Sequence, residues 1–257
     1  MTLIFLAVFA DVLTPYGVDE MRVMDRLVPP SASHLLGGDQ VGRDILTRLI
    51  YGARISMVVG VAGTSVTVII ASIIGVPSGF FGGKYDIIVQ RFVDAFLAFP
   101  GLLILLTVLS IVGPGILQII LVLGILTGIY SSRVVRSAVI GIKENDYFLA
   151  AEAIGSPITR TVMRHIMPNI MAPLIIIFSI NIGGIILDEA SLSFLGFGLP
   201  PEVPSWGGML SWEGRRYMEV KPELALYPGL CLALVIFGVN MFGDAVRDLL
   251  DPRLRGG

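Results

Sequence analysis

Residues able to break or make bonds are scarce in this chain, and their spacing fits none of the common arrangements. The two histidines, His34 and His165, lie far apart and neither falls in an HExxH or His-rich pattern, so neither reads as a metal ligand. A single cysteine, Cys231, sits in an apolar stretch, which leaves no intramolecular disulfide or cysteine metal cluster to build. A phosphate-cradling loop needs GxxxxGK followed by Ser or Thr. The nearest approach, SGFFGGKY over residues 78–85, has Ser78 at the first glycine and Tyr85 after Lys84. There is no GxSxG elbow and no nucleophile spaced for a base partner. ATP, if it is used, has to be bound by another chain. The polar residues that remain of interest stand at or inside apolar runs. Arg91 and Asp94 are spaced for an i, i+3 pair, and Asn181, beside Gly183 and Gly184, leads to Asp188 and Glu189.

Membrane-length elements must position these residues. The 257 residues are 54% hydrophobic and only 15% charged, with a mean hydropathy of +0.84. Such sparse charge cannot cover a core of this size with polar surface, so lipid is the expected solvent. With 18 basic and 20 acidic residues the formal net charge is −2, which excludes nucleic acid as a leading partner. Uncharged runs cover residues 55–83, 95–132, 166–187 and 224–243. A hydrocarbon core about 30 Å thick needs roughly 20 helical residues, so each run suffices to cross. Gly113, Pro114 and Gly115 divide the longest run in two. Five spans are expected, near residues 56–79, 95–112, 116–130, 167–187 and 224–242. Residues 1–13 read as a short first helix or the remnant of a longer one. The remaining boundaries are a connection and pre-helix over 14–54, a helical core over 55–243 containing polar loops 131–169 and 188–223, and a tail over 244–257. Placing loop 131–169 inside gives ten basic residues inside against eight outside, so charge alone leaves the direction open. The small residues Gly60, Gly63, Gly75, Gly79, Gly124 and Gly128 are expected to serve close helix packing in lipid.

The longest polar stretch between spans contains YFLAAEAIGSPITRTVMRHIMPN, residues 147–169. Its alanines favour a helix, Gly155 and Pro157 stop it, and a second helical piece can run from Ile158 toward Pro168. A short helix, tight turn and helix outside the membrane suits a groove on a soluble partner, and equally suits a lipid surface. Loop 188–223 is rich in proline, glycine and aromatic residues, which fits either a segment folded back into an aqueous vestibule or an aromatic belt.

Residues 147–169 resemble the EAA loop of binding-protein-dependent ABC importer permeases. Ala150, Ala151, Gly155 and Pro168 match its spacing, whereas Leu149, His165 and Met167 stand where the pattern has Glu, Ile and Leu. Glu152 is three positions late for the motif acid. Residues 37–60, 188–210 and 243–256 further resemble the C-type permeases of the dipeptide, oligopeptide and nickel importers. The resemblance implies an all-α polytopic protein with a five-helix importer core plus a short or truncated first helix, multi-pass in the plasma membrane of a prokaryote. It implies that 131–169 and the carboxyl terminus are cytoplasmic and that 14–54 and 188–223 face outward. Ala150, Ala151, Glu152, Gly155, Ser156, Arg160 and Pro168 would couple to an ATPase subunit, and Asn181, Asp188 and Glu189 would border the solute route. The implied partners are a second homologous permease, two ATPase subunits carrying ATP and magnesium, and an extracytoplasmic binding protein. The chain itself would hold no cofactor and catalyse no reaction, and its cargo would be peptides, nickel or related solutes moved by alternating access. The alternative is an ion-coupled secondary carrier working without an ATPase, which would be expected to place a titratable group or broken helix at mid-membrane.

Overall fold

The computed structural model describes residue 7 and residues 9–250, and among these there is no β-strand. Most of the first 13 residues, expected as a short or truncated helix, and residues 251–257 of the tail lie outside the described residues. What is seen near the start is one turn, α1 (Ala10–Leu13), followed by an irregular segment to Asp44. Asp44 then caps the 37-residue helix α2 (Ile45–Phe81), its carboxylate accepting from the Thr47 N–H and hydroxyl at 2.8 Å each. At 1.5 Å per residue α2 is about 55 Å long, more than a bilayer core. It ends where Gly82 and Gly83 take φ of +62° and +54°, a left-handed pair that reverses the chain into α3 (Gly83–Leu97).

Helix α4 (Gly101–Val112) follows after Pro100 and is bent by 87° from α3. The expected single span over 95–112 is therefore broken. Proline cannot continue the helix and pushes Phe99 before it out of helical geometry. Gly113, at φ +89°, ends α4 and separates it from α5 (Ile116–Lys143) as the glycine and proline cluster requires. Two short helices, α6 (Asp146–Ala153) and α7 (Ile158–Thr161), and a π-turn over Val162–Ile166 lead to α8 (Met171–Phe194). Beyond α8 come α9 (Trp206–Leu210), α10 (Trp212–Tyr217) and α11 (Glu223–Leu250).

Four helices run past their expected ends, α2 by starting at Ile45, inside the expected 14–54 connection and eleven residues before residue 56. α5 continues 13 residues beyond Tyr130, because charged Arg133 and Arg136 find partners along it. Arg136 makes a two-pronged pair with Asp86 of α3 (Nε to Oδ1 2.6 Å, Nη2 to Oδ2 2.5 Å), and Arg133 pairs with Asp94. Asp94 also keeps its neighbour Arg91 at 3.5 Å. α8 extends to Phe194, so Asp188 and Glu189 lie within the helix and not at its exit. α11 extends to Leu250.

The bundle is held by close approach of α2 and α5. A Cβ on Gly124 would fall 2.6 Å from Val66 Cβ, and one on Gly75 would fall 2.5 Å from the Ser132 carbonyl oxygen. Glycine there lets two backbones touch, which is the packing role expected of these residues. Four of the helices, α2, α5, α8 and α11, are long and apolar enough to cross a membrane, and the α3–α4 pair makes a bent fifth candidate. Only 22% of α11's most apolar window is buried within the chain. The rest of that apolar surface needs lipid or another chain to cover it.

Candidate functional site: a rigid hairpin and the opposite cap

The hairpin at one end of the bundle is built from its alanines outward. α6 ends in a paired turn: the Gly155 N–H donates to the Glu152 carbonyl at 2.9 Å and the Ser156 N–H to the Ala151 carbonyl at 3.1 Å. Gly155 at φ +70° makes this closure possible, and a side chain there would enter open space. Pro157 then starts α7. The inner face is anchored. Phe148, Ile166 and Ile170 pack with Ala71 and Val76 of α2 and with Val135, Val139 and Ile142 of α5. The Phe80 and Phe148 rings meet edge-on at 6.4 Å, and Lys143 Nζ donates to the Phe80 carbonyl at 2.7 Å.

The residues matched by motif divide between the two faces. Ala151 is buried against the bundle, whereas Ala150, Glu152, Gly155, Arg160 and Pro168 are exposed and Ser156 is half-buried. The departures from the pattern are accommodated. Leu149, at the motif acid, points outward; His165 lies 6.2 Å from the Tyr147 ring; Met167 packs beside the anchoring cluster. Spacing missed the apolar crest of the hairpin. Ile154 is 84% exposed and Met163 71%, with Ile158 between them also exposed. An isoleucine isolated among alanine, glutamate and glycine at a turn is the signal that could have found it.

At the opposite end, residues 14–44 and 195–222 form a cap over α2 and α8. Trp206 is fully buried, its indole N–H donates to the Leu49 carbonyl at 3.0 Å, and its ring fills the space a side chain on Gly52 would need. Gly207 lies against the Ala190 backbone, where a Cβ would come within 2.4 Å of Cα. Arg43 and Arg48 both donate to the Pro201 carbonyl, at 3.4 and 3.3 Å. His34 bridges Asp44 at 2.9 Å and Asp25 at 3.3 Å, tying the irregular segment to the start of α2. Lys221 donates to the Val28 and Gly38 carbonyls at 2.5 and 3.0 Å, and its burial pushes the ammonium below its ordinary pKa. The exposed Glu20 is also held below its usual range, here because hydrogen bonds from Arg22 and from the Gly17 N–H favour the charged carboxylate. A cavity of about 300 Å³ lies between the cap segments, lined in part by Asp39, Arg48, Ser193 and Met209.

The three polar residues expected along the solute route are not brought together. Glu189 is completely buried toward the cap, where Oε1 accepts from Ser193 at 2.7 Å and Oε2 has no hydrogen-bond partner among the described residues. Asn181 and Asp188 are seven residues apart on another face of α8, with Gly184 between them. Asn181 turns its amide to its own helix at the Ile177 carbonyl, 2.7 Å away. A Cβ on Gly184 would meet nothing within 4 Å. The register of α8 on α11, with Gly183 at Asn240 and Gly243 at Ser179, puts Asp188 level with about residue 235. That is about 18 Å into α11 from its first residue.

A bundle of apolar helices with a short rigid hairpin at one end and a loop-built cap at the other defines a multi-pass membrane component. Residues 67–256 match the family described as binding-protein-dependent transport system inner membrane component. The chain belongs to that family and is a multi-pass inner-membrane permease subunit of an ABC importer. It is 38% identical over 252 residues to the dipeptide transport system permease protein DppC of Alkalihalophilus pseudofirmus, covering 98% of this chain and 83% of that protein. It is 36% identical to the glutathione transport system permease protein GsiD of Pectobacterium atrosepticum, covering 99% and 85%. The fold is also that of chains in solved ABC transporters. An inward-facing MetNI methionine transporter chain superposes with a TM-score of 0.60 at 18% identity, over 80% of this chain and 98% of that one. An amino acid ABC transporter chain gives 0.58 at 16% identity, over 81% and 95%. The ion-coupled carrier is not favoured by this membership.

Proposed function

We propose that this permease subunit imports peptides or closely related solutes, with the hairpin of α6 and α7 receiving the stroke of a separate ATPase. The single observation that carries the coupling role is the hairpin's construction. Phe148 and Ile166 root it in α2 and α5, while Ile154, Ile158 and Met163 stand out as an uncovered apolar crest beside Glu152 and Arg160. An apolar crest on a polar knob fits a groove in a soluble partner, and its rooting means that a push moves whole helices instead of a loop. In this reading the hairpin is cytoplasmic and the cap faces outward, where a binding protein delivers solute. A second homologous permease completes the bundle, and two ATPase subunits bind the ATP and magnesium. Peptide cargo is supported by the names of the DppC and GsiD relatives.

The test separates folding from coupling. Ile154→Asp removes the crest without touching the anchored face. It is expected to insert and assemble with the second permease, but to lower ATP-driven peptide uptake in vesicles by at least tenfold and to weaken ATPase recovery on pull-down. Gly155→Leu, which forces a side chain onto a left-handed position at a cost of about 1–2 kcal/mol, is expected to do the same. Undiminished uptake in both variants would remove the hairpin from the coupling path.

A further inference from the structure

Asp188 differs from the acids of α3 and from its own neighbour on α8. Asp86 and Asp94 are paired with arginines and Glu189 accepts from Ser193, whereas among the described residues the Asp188 carboxylate has no hydrogen-bond or ion-pair partner. It is partly exposed on a face of α8 that the rest of the chain leaves uncovered, with Ile180, Gly184 and Leu187 exposed beside it. That face is not at the end of the bundle, since the cap closes over α8 beyond it at Ala190 and Gly207. A lone carboxylate there is compatible with water and with a cation, and incompatible with lipid tails.

We infer that the Asn181, Gly184 and Asp188 face of α8 lines the aqueous route and that Asp188 is a cation subsite, receiving an ammonium group of the passing solute. This rests on the importer reading and deepens it by naming a charge class. A peptide's amino terminus is such a group, and Gly184, lacking a side chain, leaves room for the solute backbone one turn away. Asn181, two turns from Asp188, leaves its amide oxygen available to a peptide N–H while its amide nitrogen is held by Ile177.

The test reads local charge at a thiol placed beside the carboxylate. In the assembled importer carrying C231S, G184C puts a sulfur in open space about 6 Å from residue 188. Its rates of reaction are measured with a trimethylammonium-bearing and a sulfonate-bearing methanethiosulfonate. Both reagents should react, and replacing Asp188 with Asn should lower the cationic-to-anionic rate ratio by about 3- to 10-fold. A thiol inert to both reagents, or a ratio unchanged by D188N, would overturn the subsite. ATP-driven uptake by the C231S complex alone is scored in parallel. Its loss would count against the importer reading, while the rate ratio judges the subsite independently.

Discussion

At the scale of single residues, the strongest constraint is Trp206, which the sequence shows only as one aromatic in a loop that fits either a fold back into an aqueous vestibule or an aromatic belt. Its ring occupies the space left by Gly52 and its N–H satisfies the Leu49 carbonyl. It is therefore a rivet between the cap and α2, and not a lipid-facing belt residue. Trp206→Phe keeps much of the volume but loses the hydrogen bond, and is expected to lower unfolding stability by about 1–3 kcal/mol in detergent. The check is the thermal midpoint of the purified subunit, and a midpoint unchanged from wild type would show that the rivet bears no strain. Trp206 was not legible because burial of a loop residue depends on what folds over it. Gly155 was legible, because a left-handed turn between an alanine-rich helix and a proline has few other solutions.

At the scale of elements, α2 and α5 are the mechanical spine, and glycine sets how near they come. Gly124 is expected to reject even one methyl, since its Cβ would lie 2.6 Å from Val66 Cβ and 2.7 Å from the Gly63 carbonyl oxygen. Gly141 on the same helix has nothing within 4 Å. Gly124→Ala should therefore destabilise by about 1–3 kcal/mol through overpacking, while Gly141→Ala should be neutral or stabilising by a few tenths to about 1 kcal/mol. Comparable thermal midpoints for the two variants would contradict the packing. The four long apolar helices were readable from uncharged length and from Gly113 to Gly115, whereas α3 and the short helices α9 and α10 were not. Where α5 and α8 end was not. Charges that seemed to mark a loop are carried on helix once Asp86 and Asp94 lie opposite Arg136 and Arg133, and those partners are some 40–50 residues away in sequence.

At the scale of the whole molecule, the two ends of the bundle differ in kind: one is a rigid knob, the other a cap held by buried hydrogen bonds. With a hairpin and a cap on opposite ends of membrane-length helices, the proposed arrangement puts the two on opposite sides of the bilayer. Single cysteines at Ile154 and Glu202, both exposed positions, report this directly in a C231S background. Membrane-impermeant reagents are expected to reach residue 202 from outside intact cells and residue 154 only from the cytoplasmic face. Labelling of both from one side would break the architecture, and reversed labelling would overturn the proposed direction.

Composition and run length determined that this chain lives in lipid, because roughly 20 uncharged residues in a row have no favourable place in water. Gly113 to Gly115 determined where α4 gives way to α5, Gly155 and Pro157 where α6 gives way to α7, and the motif-bearing residues pointed to the family. Tertiary structure alone decided that Glu189 is sealed beneath the cap while its neighbour Asp188 stays partly exposed. Adjacent residues on a helix point about 100° apart, so which of two acids meets protein and which meets open space depends on what the remaining helices place around them.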